Sequence, residues 1–484
     1  MRSSLYLIAA LSVCFAPVFS TSHKYDLDPK NWKPEDVITR DVAIVGGGSS
    51  GTYSALSLKD KGKSIIVIEK KARMGGHTET YIDPATDKPL DMGVIIFHNI
   101  TVVRNYFKRM GVEIIAFGSD ADPNAPAEKA ANYDATTGKE VNVKIFSEDE
   151  VSAAFKKYAE ILDKYPKLDD GMFLPDPVPE DLVMPFGEFV KKHDIEAVLD
   201  TMFNYNPGLG DILTGPTVEQ MRVFGKTLVN SLSTGFLTTK HHNNSEVYTK
   251  ATSELLSTNS LLLSSEVVHT SRTDNEVKLL VRTPTGPKLI LSKKLLISIP
   301  PKPPNLHPFS LLPTETRIFS TLLNAGYYTS ILSHTGIPDT TRIINYSPST
   351  PHNFPVLPAI YSVSPTGAPG LHFAYYGSLL GNETYPLEDE FVKSEIIKAV
   401  KTMQAAHPDM FNASEPEFVE YSSHAPFYAQ FGAEDTRRGM YGELYGLQGL
   451  RSTFWTGAAF RAQDSSLCWR FSEEVVLPML LEGL

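Results

Sequence analysis

Cysteine is nearly absent from this chain: 484 residues carry two, Cys14 and Cys468. Cys14 lies in an N-terminal apolar stretch, so its removal would leave one thiol and exclude an intrachain disulfide. A chain this long can bury enough core to do without such staples. Clustered basic residues are also missing, and the net charge is -11. That excludes the phosphate-tracking surface of a nucleic-acid binder. No Cys/His cluster has metal-ligand spacing, and "KHHNN" at 240–244 reads as a solvated loop. No serine lies in a nucleophile-elbow context. Internal repeats and low-complexity tracts are lacking. Beyond the N-terminus no apolar run is long enough to span a bilayer. Residues 1–20 combine Arg2, the apolar run Leu5–Phe19 and small residues ending at Ser20. They read as a secretory signal peptide, because the run is short for a membrane anchor and Pro17 interrupts it. The expected location is the secretory pathway: endoplasmic reticulum lumen, vesicle or exterior. Sequons stand at Asn99, Asn243, Asn345, Asn382 and Asn412. Pro348 weakens the third, and Asn99 lies close to a ligand-facing motif.

What is present begins at "DVAIV" (Asp41–Val45), a short apolar run expected as a buried parallel strand. A helix over Thr52–Asp60 follows, ending at Gly62, and "SIIVIE" (Ser64–Glu69) is the next strand. Gly46, Gly48 and Gly51 form G-x-G-x-x-G at the first strand-to-helix turn. There Gly46 permits the turn, Gly48 lets backbone approach a pyrophosphate, and Gly51 lets helix and strand pack closely. The helix start offers free N–H groups to phosphates. Glu69 ends the second strand, where a carboxylate accepts ribose hydroxyls. These features together specify a dinucleotide site. Nicotinamide domains normally continue into another βα unit here. "EKKARMGGHTET" instead supplies Arg73 and a second glycine turn, Gly75–Gly76, which suits a chain running beneath an isoalloxazine ring. "LDMGVIIFHN" follows, with Asp91 and Gly93.

The set G-x-G-x-x-G, E-x-x-x-R-x-G-G and D-x-G resembles the FAD-dependent amine oxidase and phytoene desaturase superfamily. "SSEVVHTSRTDNEVKLLV" with "KKLLISIPP" is similar to the family's middle FAD segment, which implies that the Val267 backbone holds adenine. "FWTGAA" and "DSSLCW" resemble the C-terminal segment that cradles flavin, implying Gly457, Ser465 and Ser466. Through "GGHTET", "FHN", "LYGLQGLRSTFWTGAA" and "DSSLCW" the chain most resembles the fungal beta-cyclopiazonate dehydrogenase family. Ser50, Lys70 and His77 join the implied cofactor-binding set. Many amine oxidases have Arg where this chain has His77. The cysteine that carries flavin covalently in monoamine oxidases has no counterpart, since Cys468 lies in another segment. The resemblance thus implies non-covalent FAD.

It further implies hydride removal from a substrate carbon to flavin. The helix starting near Ser465, with Asp464, Ser465 and Ser466 as possible caps, would stabilise charge on the reduced ring. A cationic substrate carbon would be stabilised by aromatic faces; the candidates are Tyr327, Tyr328, Tyr375, Tyr376, Trp455 and Trp469. His98 in "FHN" is the candidate base or substrate-orienting residue, with a packed histidine as the alternative; His424 and His77 rank below it. The narrower likeness implies oxidative cyclisation of a prenylated or polycyclic apolar metabolite in fungal natural-product biosynthesis. An amine oxidase making imine and peroxide, or a flavin-binding protein without turnover, are the alternatives.

The expected fold is α/β, a glutathione-reductase-like Rossmann FAD domain with a discontinuous α+β substrate domain. FAD segments are expected at 38–115, 233–304 and 431–484. Substrate segments are expected at 116–232, a helical cap with helical spacing of Val151, Phe155, Tyr158, Leu162 and Tyr165, and at 305–430. Within 277–300, "VKLLV" and "KLILS" read as a hairpin, followed by "KKLLISIPP" as a further strand.

Overall fold

The computed structural model describes residues 25–121, 127–205, 208–381 and 386–484. Residues 1–20, expected as a signal peptide, lie outside the described residues with Cys14 and Asn382. Among those described, no helix is long and apolar enough to cross a membrane.

One sheet of seven strands draws on three distant stretches of chain. Its centre is Val37–Val45, parallel to Gly286–Ile297 on one side and to Ile65–Ile68 on the other. Val42, Ala43, Ile44, Ile65, Ile66 and Val67 are all buried. These runs are apolar on both faces because helices or loops cover both faces of a parallel sheet. Leu261–Leu262 extends the sheet beyond Ile65–Ile68. The helix Ser49–Asp60 crosses between the first two parallel strands.

The expected hairpin forms, but its second arm does not end at Ser292. Gly286–Ile297 is one strand whose first half pairs antiparallel with Val277–Thr283. Its last residues pair parallel with Thr453–Trp455. The two halves look separate in sequence because Lys293 and Lys294 interrupt the apolar run. Lys293 reaches Asp41 at 2.8 Å, and Lys294 lies over the Phe454 ring.

A second sheet has six strands in the order Glu417–Ser423, Tyr327–Ser333, His372–Gly377, Ala359–Pro365, Thr341–Asn345, Lys129–Tyr133. The helix Asp389–Ala406 covers one face, setting Val392, Ile396, Val400 and Met403 against Tyr328, Leu332, Ile360 and Tyr376. Lys129–Tyr133 was not expected as a strand. It pairs parallel with Thr341–Asn345 at the sheet's edge and buries only Tyr133, so it lacks the alternation that marks a strand in sequence. Asn345 is buried in its strand, accepting from the Ala135 N–H and donating to the Ile360 carbonyl. It has no room for a glycan. Asn99 and Asn412 are exposed.

Helices fill much of 148–234. Glu148–Leu162 starts in a capping box between Ser147 and Glu150. Two further helical stretches are each broken. Phe186–Lys192 and Leu199–Tyr205 are separated where Asp194 takes φ 52°. Thr217–Val223 and Lys226–Thr234 are separated at Phe224–Gly225.

Candidate active site

The glycine loop leaves no space for side chains on its inner side. A Cβ on Gly51 would lie 2.0 Å from the Gly46 carbonyl oxygen and 2.6 Å from Ser298 Oγ. Gly48 stands at the N-cap of helix Ser49–Asp60 with no side chain capping it, so the first N–H groups of the helix remain open to an anion. The second glycine turn folds directly onto the first. The Gly75 N–H donates to the Gly47 carbonyl at 2.8 Å, and a Cβ on Gly76 would meet Gly48 Cα at 2.9 Å. Gly93 closes the third side: a Cβ there would lie 1.8 Å from the His77 carbonyl oxygen.

Glu69 is buried, and its carboxylate accepts the Gly47 N–H at 2.6 Å and the Lys71 N–H at 2.7 Å. Those bonds fix it at the end of its strand beside the loop. The Ser265 N–H donates to the Glu69 carbonyl, which brings the approach to Val267 alongside. The ladder slips between Val267 and His269, a bulge that changes the strand's edge at that point.

Three further residues of the expected cofactor-binding set are Arg73, Asp91 and Lys70. Arg73 wraps the second turn, donating to the carbonyls of Met74, Gly76 and Thr78 and pairing with Glu79. Asp91 accepts from Thr80 and from the Asn244 N–H, so it pins the start of helix Glu246–Ser257. Burial raises its carboxyl to about 7. Lys70 is exposed. Arg73 and Asp91 spend their polar atoms building the cradle, which a motif alone does not distinguish from lining it.

At the other end of the chain, Asp464 caps helix Ser465–Phe471 by accepting the Leu467 N–H at 2.8 Å. Ser466 Oγ accepts the His98 N–H at 3.0 Å. His98 Nδ1 lies 2.8 Å from Ser231 Oγ, whose hydroxyl donates to the Thr227 carbonyl. Nδ1 therefore carries the proton. Nε2 lies 3.3 Å from Asp464 but outside hydrogen-bond geometry. Burial raises the Asp464 carboxyl, yet His98 and the Leu467 N–H outweigh it and hold it below the usual range. Asp464, His98 and Ser231 thus line up, but Ser231 is buried with its hydroxyl engaged, so it is no nucleophile. His98, expected as the base, is buried behind the helix start and positions it. Burial pushes the Cys468 thiol up, and it donates to the Ala462 carbonyl. Ser50 is buried, with its Oγ 3.8 Å from where a Gly457 Cβ would stand.

Between these segments lie buried polar atoms that make no well-aligned hydrogen bond: Ser49 Oγ, Thr78 Oγ1, Tyr248 Oη and Gln463 Oε1. Tyr248 reaches toward Ser49, Thr78 and Ser465 and touches the second glycine turn. Orphaned buried polar atoms are rare in native proteins unless something else binds them. Here they sit among open helix N–H groups and bare glycine backbone. The donor set fits a phosphate-bearing dinucleotide.

The six candidate aromatics do not form one group. Tyr327 and Tyr375 lie parallel, with centroids 6.2 Å apart, and Tyr327 also meets Phe427 and His424. Their chain neighbours Tyr328 and Tyr376 point to the opposite sheet face, into the core under the long helix. Trp455 packs on Phe319, and Trp469 on Phe97 and Tyr106. Alongside Tyr327 stands a pair that sequence ranking placed low. The His77 and His424 rings stack at 4.5 Å and 14°. Burial, then the adjacent His424, hold His77 well below the usual imidazole range. His77 follows the second glycine turn directly, so it joins the cradle to the aromatic wall.

A buried network was missed altogether. Arg222 donates to the carbonyls of Ala429, Ala458, Ala459 and Arg461 and pairs with Glu219 at 3.0 Å. It ties the helical segment to the turn after Gly457. Its only sequence signal is an opposite-charge pair, Glu219 and Arg222, at i,i+3 spacing in "VEQMRVF". Among the described residues no cluster of three His, Cys, Asp or Glu could hold a metal ion.

A Rossmann crossover with a doubled glycine turn and a cradle completed from the far C-terminus defines an FAD-dependent oxidoreductase. Residues 44–110 match the family model of the NAD(P)-binding Rossmann-like domain. The chain is 44% identical, over the full length of both, to the FAD-dependent oxidoreductase oblC of Cochliobolus heterostrophus. It is 35% identical to the FAD-dependent oxidoreductase pigF of Monascus ruber, covering 94% of each. It is also 35% identical to the beta-cyclopiazonate dehydrogenase of Aspergillus oryzae, covering 91% of this chain and 93% of that one. The chain belongs to this family of fungal FAD-dependent oxidoreductases, and its cofactor is FAD. The same fold recurs in a fatty acid isomerase from P. acnes, with TM-score 0.71, 18% identity and coverage of 91% and 98%. It recurs also in putrescine oxidase, with TM-score 0.62, 15% identity and coverage of 92% and 100%.

Proposed function

We propose that this enzyme oxidises a prenylated or polycyclic apolar secondary metabolite, removing a hydride so that an internal nucleophile closes a ring on the resulting cation. The observation that carries this is the aromatic wall of Tyr327, Tyr375 and Phe427, joined to the glycine cradle through His77. Bound FAD supplies the two-electron acceptor. Aromatic faces stabilise a desolvated cation by about 1–2 kcal/mol each. Ser465 and Ser466, at a helix N-terminus, would stabilise negative charge gained by the reduced ring. Gly46, Gly48, Gly51, Gly75 and Gly76 would admit the pyrophosphate, Glu69 the ribose and the Val267 backbone the adenine. The engaged, buried Cys468 supports non-covalent binding. The relatives named for beta-cyclopiazonate dehydrogenase support an oxidative step on a metabolite of this kind. The signal-peptide-like composition of residues 1–20 and the exposed sequons at Asn99 and Asn412 support a secretory-pathway location.

An amine oxidase fits less well. The full-length relatives at 35–44% identity are named FAD-dependent oxidoreductases and beta-cyclopiazonate dehydrogenase, whereas putrescine oxidase shares the fold at 15% identity. The test is anaerobic mixing of the yellow protein with prenylated aromatics and, separately, with simple amines, following the flavin absorbance. Bleaching by the first panel and not the second is expected. Bleaching by amines alone would make this an amine oxidase, and none with either would leave a flavin-binding protein without turnover.

A further inference from the structure

Removing a hydride and capturing the cation with an O–H, N–H or C–H nucleophile releases a proton, and a group near the wall must receive it. His98 is engaged elsewhere: its Nδ1 is bonded to Ser231 and its Nε2 faces Asp464 at 3.3 Å. The stacked imidazoles of His77 and His424 lie between cradle and wall. His424 is buried, held by its own N–H donating to the Tyr327 carbonyl at 2.8 Å. Its Nε2 lies 3.7 Å from Glu79 Oε2, and no hydrogen bond satisfies that nitrogen. His77 Nδ1 lies 3.5 Å from Gln463 Nε2, one residue before the Asp464 cap.

We propose that His424 is the catalytic base of the oxidation, with Glu79 as its positioning carboxylate and His77 as the neutral ring stacked against it. This rests on the FAD-oxidation reading above. The balance is simple. With FAD bound, the substrate C–H bond would break with hydride passing to the cofactor, the nucleophile's X–H bond would break as the new ring bond forms on the cationic carbon, and that proton would go to an imidazole nitrogen of His424. The other nitrogen faces Glu79, whose charge stabilises the imidazolium.

The charges around the pair agree with these roles. Burial raises the Glu79 carboxyl, but His424, Ser422 and Arg73 overcome it and hold it far below the usual range, so it stays ionised. His77 faces Lys71, Arg73, Glu79 and His424. A second positive charge beside an imidazolium is unfavourable, so His77 stays neutral while His424 takes the proton. Gln463 and Tyr327 complete the neighbours and carry no charge at neutral pH. A base works deprotonated, so flavin reduction should slow as pH falls.

The test uses the FAD-loaded protein and two readouts. With histidine-selective carbon-13 labelling, His77→Gln and His424→Gln assign the two Cε1–H signals. Glu79→Gln should then move the His424 titration to lower pH by about one unit or more. In stopped flow with a compound that bleaches the parent, His424→Gln should slow flavin reduction by about a hundredfold or more and flatten its acid limb. FAD content and thermal midpoint should hold. Unchanged rate and pH profile in His424→Gln, or an unmoved His424 titration in Glu79→Gln, would overturn the proposal. If no compound bleaches the parent, the oxidation reading fails separately, and the titration alone decides whether the dyad exists.

Discussion

Replacing Gly51 with valine yields a protein that carries no flavin. Even a single Cβ at this position would sit 2.0 Å from the Gly46 carbonyl oxygen, which belongs to the same loop and has nowhere to retreat. The helix Ser49–Asp60 would have to move away from its strand, taking with it the N–H groups that face the gap between the two glycine turns. Overpacking of this kind costs about 3 kcal/mol, and a shift of that size in the bound state weakens binding about a hundredfold. Purification would then strip the cofactor. Visible absorbance reads the effect, and circular dichroism separates cofactor loss from unfolding. A folded, yellow Gly51→Val protein would show that the turn does not hold FAD as described.

Replacing Arg222 with methionine should be the most destabilising single change in the core. The guanidinium is 1% exposed and answers four backbone carbonyls, a carboxylate and the Tyr441 hydroxyl. Removing it leaves Glu219 charged or forced to protonate in a buried site where desolvation already raises its carboxyl. It also leaves carbonyls without donors at about 1–3 kcal/mol each. A total above about 5 kcal/mol follows, in line with breaking a buried ion pair. Chemical denaturation with a fluorescence readout checks it; a loss under about 1 kcal/mol would contradict the reading. Arg222→Lys should rescue little, because three ammonium donors cannot reach groups that a planar fork serves from five positions. Flavin retention should drop with stability, since the carbonyls concerned belong to Ala458, Ala459 and Arg461, just after Gly457.

The first βαβ unit was legible because local rules agree there. Glycine spacing, an apolar strand on either side and a terminal Glu69 all describe one geometry. Its completion by Gly457 and Ser465 was legible only through resemblance, because chain ends that meet in space leave no periodicity behind. The aromatic candidates show where composition stops. Tyr327 and Tyr328 look equivalent in sequence, yet strand alternation sends one to the site and the other into the core, and only knowledge of the strand separates them. His77 and His424 lie on segments far apart in the chain, so nothing local announces their stacking. His98 stood out by its neighbours Phe97 and Asn99 in a resembling motif, but burial and its bond to Ser231 make it a support. Arg222 was overlooked because a Glu–Arg pair at i,i+3 in an amphipathic run normally lies on the solvent face.

The central claim is that both ends of the chain enclose one FAD. Acid release of cofactor from the purified full-length protein, quantified against polypeptide, measures it directly. The account predicts about one FAD freed per chain, with the pellet left colourless. Recovery of a nicotinamide dinucleotide instead, or of no flavin from folded protein reconstituted with excess FAD, would contradict it.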